Sequence, residues 1–244
     1  DTSTAATLNA NSITLESTNA SKDVMLTNAS LTAAKTNANP STGGTITVTA
    51  AGDLLLDKAT VRAESGTGTA NGNVTLEAAT LSANATTGRS LVSAGGVLRV
   101  NTTGGATTIA ASDLVGKTVD IDAASLTLSN GALIGASSTT TTATDVVMNI
   151  ATTTGVVDIQ GELSANSGTS RLTSSAGNVN LAATSKVAAK NLIVNAGTAT
   201  AAVASGAQVA TSGDLTLSGA TVSTQAPLSV SGNLTVGSST STVS

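Results

Sequence analysis

Apolar residues along this chain stand two apart with a polar residue between them, and the doublet keeps returning inside one larger unit. GDLLLDKATV (residues 52–61), GNVTLEAATL (72–81), GNVNLAATSKV (177–187) and GDLTLSGATV (213–222) are close copies of it. KDVMLTNASL (22–31), KTVDIDAASLTL (117–128) and GNLTVG (232–237) are looser ones. Each reads as a turn residue, a polar residue, two apolar residues one position apart, a small-residue corner and a further apolar residue. Alternation at a period of two predicts a strand with one buried face. Glycine followed by Asp or Asn predicts turn chemistry, with φ > 0 at the glycine or a side chain bonding its own backbone.

The pattern names the expected core. The best-matched inward pairs are Leu54/Leu56, Val74/Leu76, Val119/Ile121, Val179/Leu181 and Leu215/Leu217. Further pairs are Ile13/Leu15, Val24/Leu26, Ile46/Val48, Leu98/Val100, Met148/Ile150, Val157/Ile159, Leu192/Val194 and Leu234/Val236. Single apolar anchors fall between them at Leu31, Val61, Leu81, Leu91, Ile109, Leu133, Leu163, Leu172, Val187, Val203, Val209 and Val222. Copies recur about 20 residues apart, the signature of a solenoid. No helical periodicity supports leucine-rich repeats, and the glycines do not form a calcium-binding nonapeptide array. The expected fold is all-β: a parallel β-helix (β-solenoid) with about 20 residues per coil. About eleven coils at roughly 4.8 Å each would make a rod of about 50 to 55 Å. Residues 42–44, 66–72 and 137–144 read as longer loops, and Pro227 as a strand start. Pro40 can sit only where no ladder donor is needed.

Composition narrows the alternatives. The 244 residues include no Phe, Tyr, Trp, His or Cys, and much of the 40% apolar content is alanine. A spherical core usually employs aromatic bulk; a narrow bore filled by one aliphatic per level does not need it. With 10% charged residues and net charge −4, the chain lacks the basic groove and stacking rings of a nucleic-acid binder. No stretch approaches 18 consecutive apolar residues, so no membrane span is expected. Nothing marks a domain boundary, and residues 1–244 read as one segment, expected to be part of a longer chain. Absence of cysteine fits a surface protein folding without disulfide machinery.

The four close repeats resemble the shaft repeats of filamentous haemagglutinin-type exoproteins, the large adhesins and contact-dependent toxins of two-partner secretion in Gram-negative bacteria. The resemblance covers essentially the whole chain. It implies a right-handed β-helix fibre, secreted or attached to the bacterial cell surface, with an outer-membrane secretion partner. It also implies contact with a host or neighbouring-cell surface, or with sister fibres. The family's export domain carries Asn-Pro-Asn motifs; here only Asn39-Pro40-Ser41 occurs. The expected role is therefore that of a shaft holding a distal binding or toxin region away from the cell. The alternative is a subunit of a self-associating extracellular filament, built on exposed Thr, Val and Ala and on a nearly uncharged C-terminal third.

Little chemistry is expected. Asp120 and Asp122 share one outward face, and Asp53 and Asp57 flank one strand, so these are the candidate carboxylates of a polysaccharide-active β-helix. They read more simply as solvated positions opposite buried aliphatics, and no aromatic is present to stack a sugar. Without His or Cys, most transition-metal sites and the common nucleophile–base pairs are excluded. No catalytic, metal or cofactor residue is assigned. Sequons at Asn19, Asn28, Asn73, Asn84, Asn101 and Asn233 number about what chance supplies, five or six. Thr-x-Thr pairs at 45–49, Thr67/Thr69, Thr140/Thr142 and Thr198/Thr200 suggest an ice-binding solenoid, but they do not recur once per coil.

Overall fold

The computed structural model describes residues 6–19, 22–35, 43–65, 72–84, 86, 88–135 and 145–243. The loops expected around 66–71 and 137–144, Pro40, Thr42, and the pairs Thr67/Thr69 and Thr140/Thr142 lie outside them. The protein is all-β, with no helix among the described residues. Strands form where the doublets are, because Val, Ile and Thr restrict χ1 and fit a pleated surface. Every pairing between strands is parallel.

The pairings sort into three ladders, and the chain visits them in rotation. In the first, Leu8, Leu31, Val61, Val92, Leu114, Ile134, Leu163, Val187, Val209 and Leu228 stand in register. In the second, Leu15, Val48, Leu76, Val100, Ile121, Ile150, Leu172, Val194, Leu217 and Val236 do so. In the third the column is Leu26, Leu56, Ala83, Ile109, Leu128, Ile159, Leu181, Val203 and Thr224. Successive extended segments enter successive ladders and the fourth lies on the first, with Ser90–Ile109 and Ser112–Leu128 each passing through all three. Ten levels are present among the described residues rather than about eleven. Their spacing is uneven, from 19 residues (Asp214 to Asn233) to 33 (Ser12 to Thr45), where about 20 was expected.

The inward columns merge into one continuous apolar core. Leu54, Leu56, Val74, Leu76, Val119, Ile121, Val179, Leu181, Leu215 and Leu217 are each at most 1% exposed. At about 1.5–3 kcal/mol per buried aliphatic, these columns dominate the favourable side of folding. Four expected inward residues differ. Leu15 and Val24 are half-buried, and Leu234 and Val236 are 50% and 36% exposed, because the outermost levels are covered on one side only. Two anchors were misplaced by one residue. Leu91 and Leu133 lie on the outer face, while Val92 and Ile134 point inward; a one-residue shift exchanges faces in a strand.

The strands are also longer than expected. Ser90–Ile109 and Ser112–Leu128 run unbroken through corners, with register shifts between Ala94 and Val97 and between Thr102 and Ala106. Such bulges turn a strand without ending it.

The repeat's Gly-Asx opening works differently from the expectation. Positive φ occurs at Gly131, Gly135, Gly168, Gly197 and Gly206, not at Gly52, Gly177, Gly213 or Gly232. At Gly213 a Cβ would collide with Oδ1 of Asn191, one level below. That same oxygen accepts the N–H of Asp214 at 2.9 Å. Gly232 leaves room for Asp214 Oδ1, which accepts the N–H of Asn233 at 2.8 Å. Gly52 does so for Asp23 Oδ1, which accepts the N–H of Asp53 at 2.9 Å. At Gly52, Gly213 and Gly232 the glycine is thus a vacancy for the Asx side chain of the level beneath, which clips successive levels together, whereas at Gly177 a Cβ would meet the backbone of Gly155.

Candidate functional site on the first ladder

One outward column of the first ladder combines charged side chains with two concavities. Register places Leu91, Asp113, Leu133, Glu162, Lys186 and Gln208 above one another. Asp113 belongs to this outer column yet is only 4% exposed, because Arg89 covers it. Arg89 Nε donates to Asp113 Oδ2 at 3.1 Å, and Nη2 donates to Oδ1, a bidentate fork. Its Nη1 donates to the carbonyl of Gly131 at 2.6 Å. That carbonyl sits in a tight turn closed by the Ala132 N–H bonding Ser129 O at 3.1 Å. Gly131 has φ 83°, and Asn130 before it is not left-handed, the signature of a type II turn with its obligatory small residue at the third position. Arg89 therefore ties three successive levels.

The Asp113 hydrogen bond raises the Arg89 pKa above its ordinary value; burial opposes this, and the Asp113 charge adds to it. An upward shift on a cation stabilises the fold at all pH below the ordinary arginine range and is lost only as pH climbs through the raised value. The arginine half of the pair is thus insensitive to pH near neutrality.

Two concavities flank this column. A cleft of about 440 Å³ is lined by Arg89, Asp113, Asn130, Leu133, Glu162 and Lys186 among others. A second, of about 560 Å³, runs over Ala188, Ala210, Leu228 and Ser229, with Glu162 and Lys186 on its rim. The two share that rim and form one furrow along the ladder. The first cleft holds two cations and two anions, and Arg89 already consumes Asp113. Such a surface favours neutral or dipolar contacts over a strongly charged ligand.

The carboxylates singled out from sequence do not converge. Asp120 and Asp122 face outward on the second ladder, half-buried. Asp122 meets Arg99 at 3.5 Å, an exposed pair of the weak kind. Asp53 is exposed and its Oδ1 accepts the hydroxyl of Thr80 at 2.7 Å. Asp57 corrects the solvated reading: it is only 6% exposed, at a corner where its carbonyl accepts the N–H of left-handed Asn28. Among the described residues, no group of three or more His, Cys, Asp or Glu is placed to hold a metal ion. No helix is long and apolar enough to cross a membrane among the same residues.

Thr14, Thr47 and Thr75 do stack outward in one file, but the next level carries Arg99. Sequence reasoning missed the Arg89–Asp113 pair. Its signal was present as opposite charges 24 residues apart, at the openings of two successive segments of the first ladder. No protein-family model, no curated protein and no solved structure matches this chain.

Proposed function

We propose that the chain is a right-handed parallel β-helix acting as a spacer, a length of shaft in a secreted or surface-attached bacterial exoprotein. The observation that carries this reading is the rotation of the chain through three parallel ladders whose inward columns continue over ten levels. Each return to a ladder is a crossover between neighbouring parallel strands, and such crossovers are right-handed in about 98% of cases. Stacked levels touch only their neighbours, so length can grow without a wider core. The likeness of the repeats to filamentous haemagglutinin shafts supports a surface location, an outer-membrane export partner and a distal region that meets other cells. A spacer rather than an enzyme is favoured because the outward carboxylates lie apart and Asp113 is held by Arg89.

Deleting one complete level tests this. Removing residues 187–208 brings Val209 to the place of Val187, its own ladder partner. The shortened chain should fold, lose about 4.8 Å of length and reduce the reach of any domain fused beyond it by the same step. A shortened chain that fails to fold contradicts modular stacking. Turnover of a polysaccharide that is lost on Asp120→Asn or Asp122→Asn would replace the spacer with an enzyme.

A further inference from the structure

An apolar knob and an apolar groove lie at opposite ends of the ladders. Met25, on the strand Val24–Thr27, is 64% exposed, more than any other large hydrophobic residue described. Its register partner on the next level is Leu55, also on the outer face and half-buried. The two project from adjacent levels of the third ladder, one strand spacing apart, roughly 4.8 Å. The groove lies six levels further on, over the exposed Ala188, Ala210 and Ser229, which are ladder neighbours in the same file of the first ladder. Knob and groove therefore run in one direction, across the strands, with the same repeat distance.

We propose that the groove receives the Met25–Leu55 knob of a second copy, so that chains join side by side with a stagger. Charge supports the same occupant. The groove rim carries Glu162 and Lys186, which are adjacent in register yet not paired with one another. The knob is flanked by exposed Lys22, Asp23 and Asp53; Asp23 Oδ1 is held by the Asp53 N–H at 2.9 Å, and Lys22 and Asp53, on adjacent levels, offer the opposite sign to Glu162 and Lys186. Methionine is flexible and polarisable and fills an irregular groove with little strain. Because knob and groove are different surfaces, the contact is heterologous and leaves a free knob and a free groove on every dimer, so association extends past the dimer, as a filament unless the rotation closes a ring. The contact is small, so association is weak and concentration-dependent. This goes beyond the spacer reading and stands or falls separately from it, since a shaft that never associates is still a shaft.

The test is sedimentation velocity of the 244-residue chain from about 10 µM to about 1 mM. The wild-type mass should rise continuously with concentration, without stopping at a dimer. Met25→Ser/Leu55→Thr removes the knob, and Ala210→Arg fills the groove; both changes lie on the outer face and should leave the thermal melt unchanged. Each variant alone should remain monomeric. Mixed in equal amounts they should form a dimer and nothing larger, because one good knob then meets one good groove. Ala188→Arg serves as a second groove variant should Ala210→Arg alter folding. A wild-type mass that stays monomeric throughout overturns the proposal. So does assembly by either variant alone, a mixture that stays monomeric, or a mixture that grows past the dimer.

Discussion

At the scale of the residue, glycine and Asx act as a matched pair across levels. Gly213 is open because Asn191 Oδ1 occupies the space a methyl group would need, and that oxygen holds the Asp214 N–H. Gly213→Ala should cost about 1–3 kcal/mol through overpacking. Asn191→Ala should cost about 1 kcal/mol for the lost hydrogen bond. The double variant should be less destabilised than the sum, since removing the side chain relieves the collision; additive losses in thermal melts would show that the two do not share space. The Gly-Asx signature was legible, but its cause was not, because a single strand cannot reveal what the level below inserts. At Arg89 and Asp113 the same limit applies. Arg89→Ala strands a buried carboxylate and should cost about 2 kcal/mol, discounted for the half-exposed guanidinium. Arg89→Ala/Asp113→Ala should recover part of that loss in the same melts, and no recovery would mean that Asp113 does not depend on Arg89.

At the scale of the element, face assignment is the decisive quantity. Leu76 is 1% and Val179 0% exposed, whereas Thr75 beside Leu76 faces outward. Leu76→Asp and Val179→Asp should each cost about 4 kcal/mol or more, since an unpaired charge would lie in the bore. Thr75→Asp should stay within about 0.5 kcal/mol. Equal melting temperatures for Leu76→Asp and Thr75→Asp would refute the assigned faces. Most inward doublets were readable because period two leaves no freedom once one face is dry. Leu91 and Leu133 were misread because Leu91-Val92 and Leu133-Ile134 are apolar at both positions, so alternation gives no phase. The polar interruptions were unreadable for another reason. Ser170 occupies a core file of the second ladder and is wholly buried, accepting the Met148 N–H at 3.0 Å. Thr107, equally buried, shares a 2.6 Å hydrogen bond with Thr102 across a bulge. Such residues find a partner inside the core, a backbone N–H for Ser170 and a second hydroxyl for Thr107, and the sequence alone shows neither.

At the scale of the whole molecule, the repeats revealed the parallel order but not its pacing. Levels of 19 to 33 residues share one register, because parallel pairing fixes which residues lie opposite and not how many separate them. Function was less legible than fold, since a stacked core of Val, Leu and Ile serves any elongated protein equally well. The central claim is that distance along the molecule grows by one strand spacing per level, whatever the sequence separation. The outward file Thr14, Thr47, Thr75, Arg99, Asp120, Asn149, Arg171, Ile193 and Thr216 marks successive levels. The chain has no native cysteine, so single-cysteine spin labels can be placed at will. Pulsed electron–electron resonance from a label at Thr14 should give about 19 Å to Asp120, about 29 Å to Arg171 and about 38 Å to Thr216. Distances that level off or turn back along this series would contradict the stacked ladders, and the spacer with them.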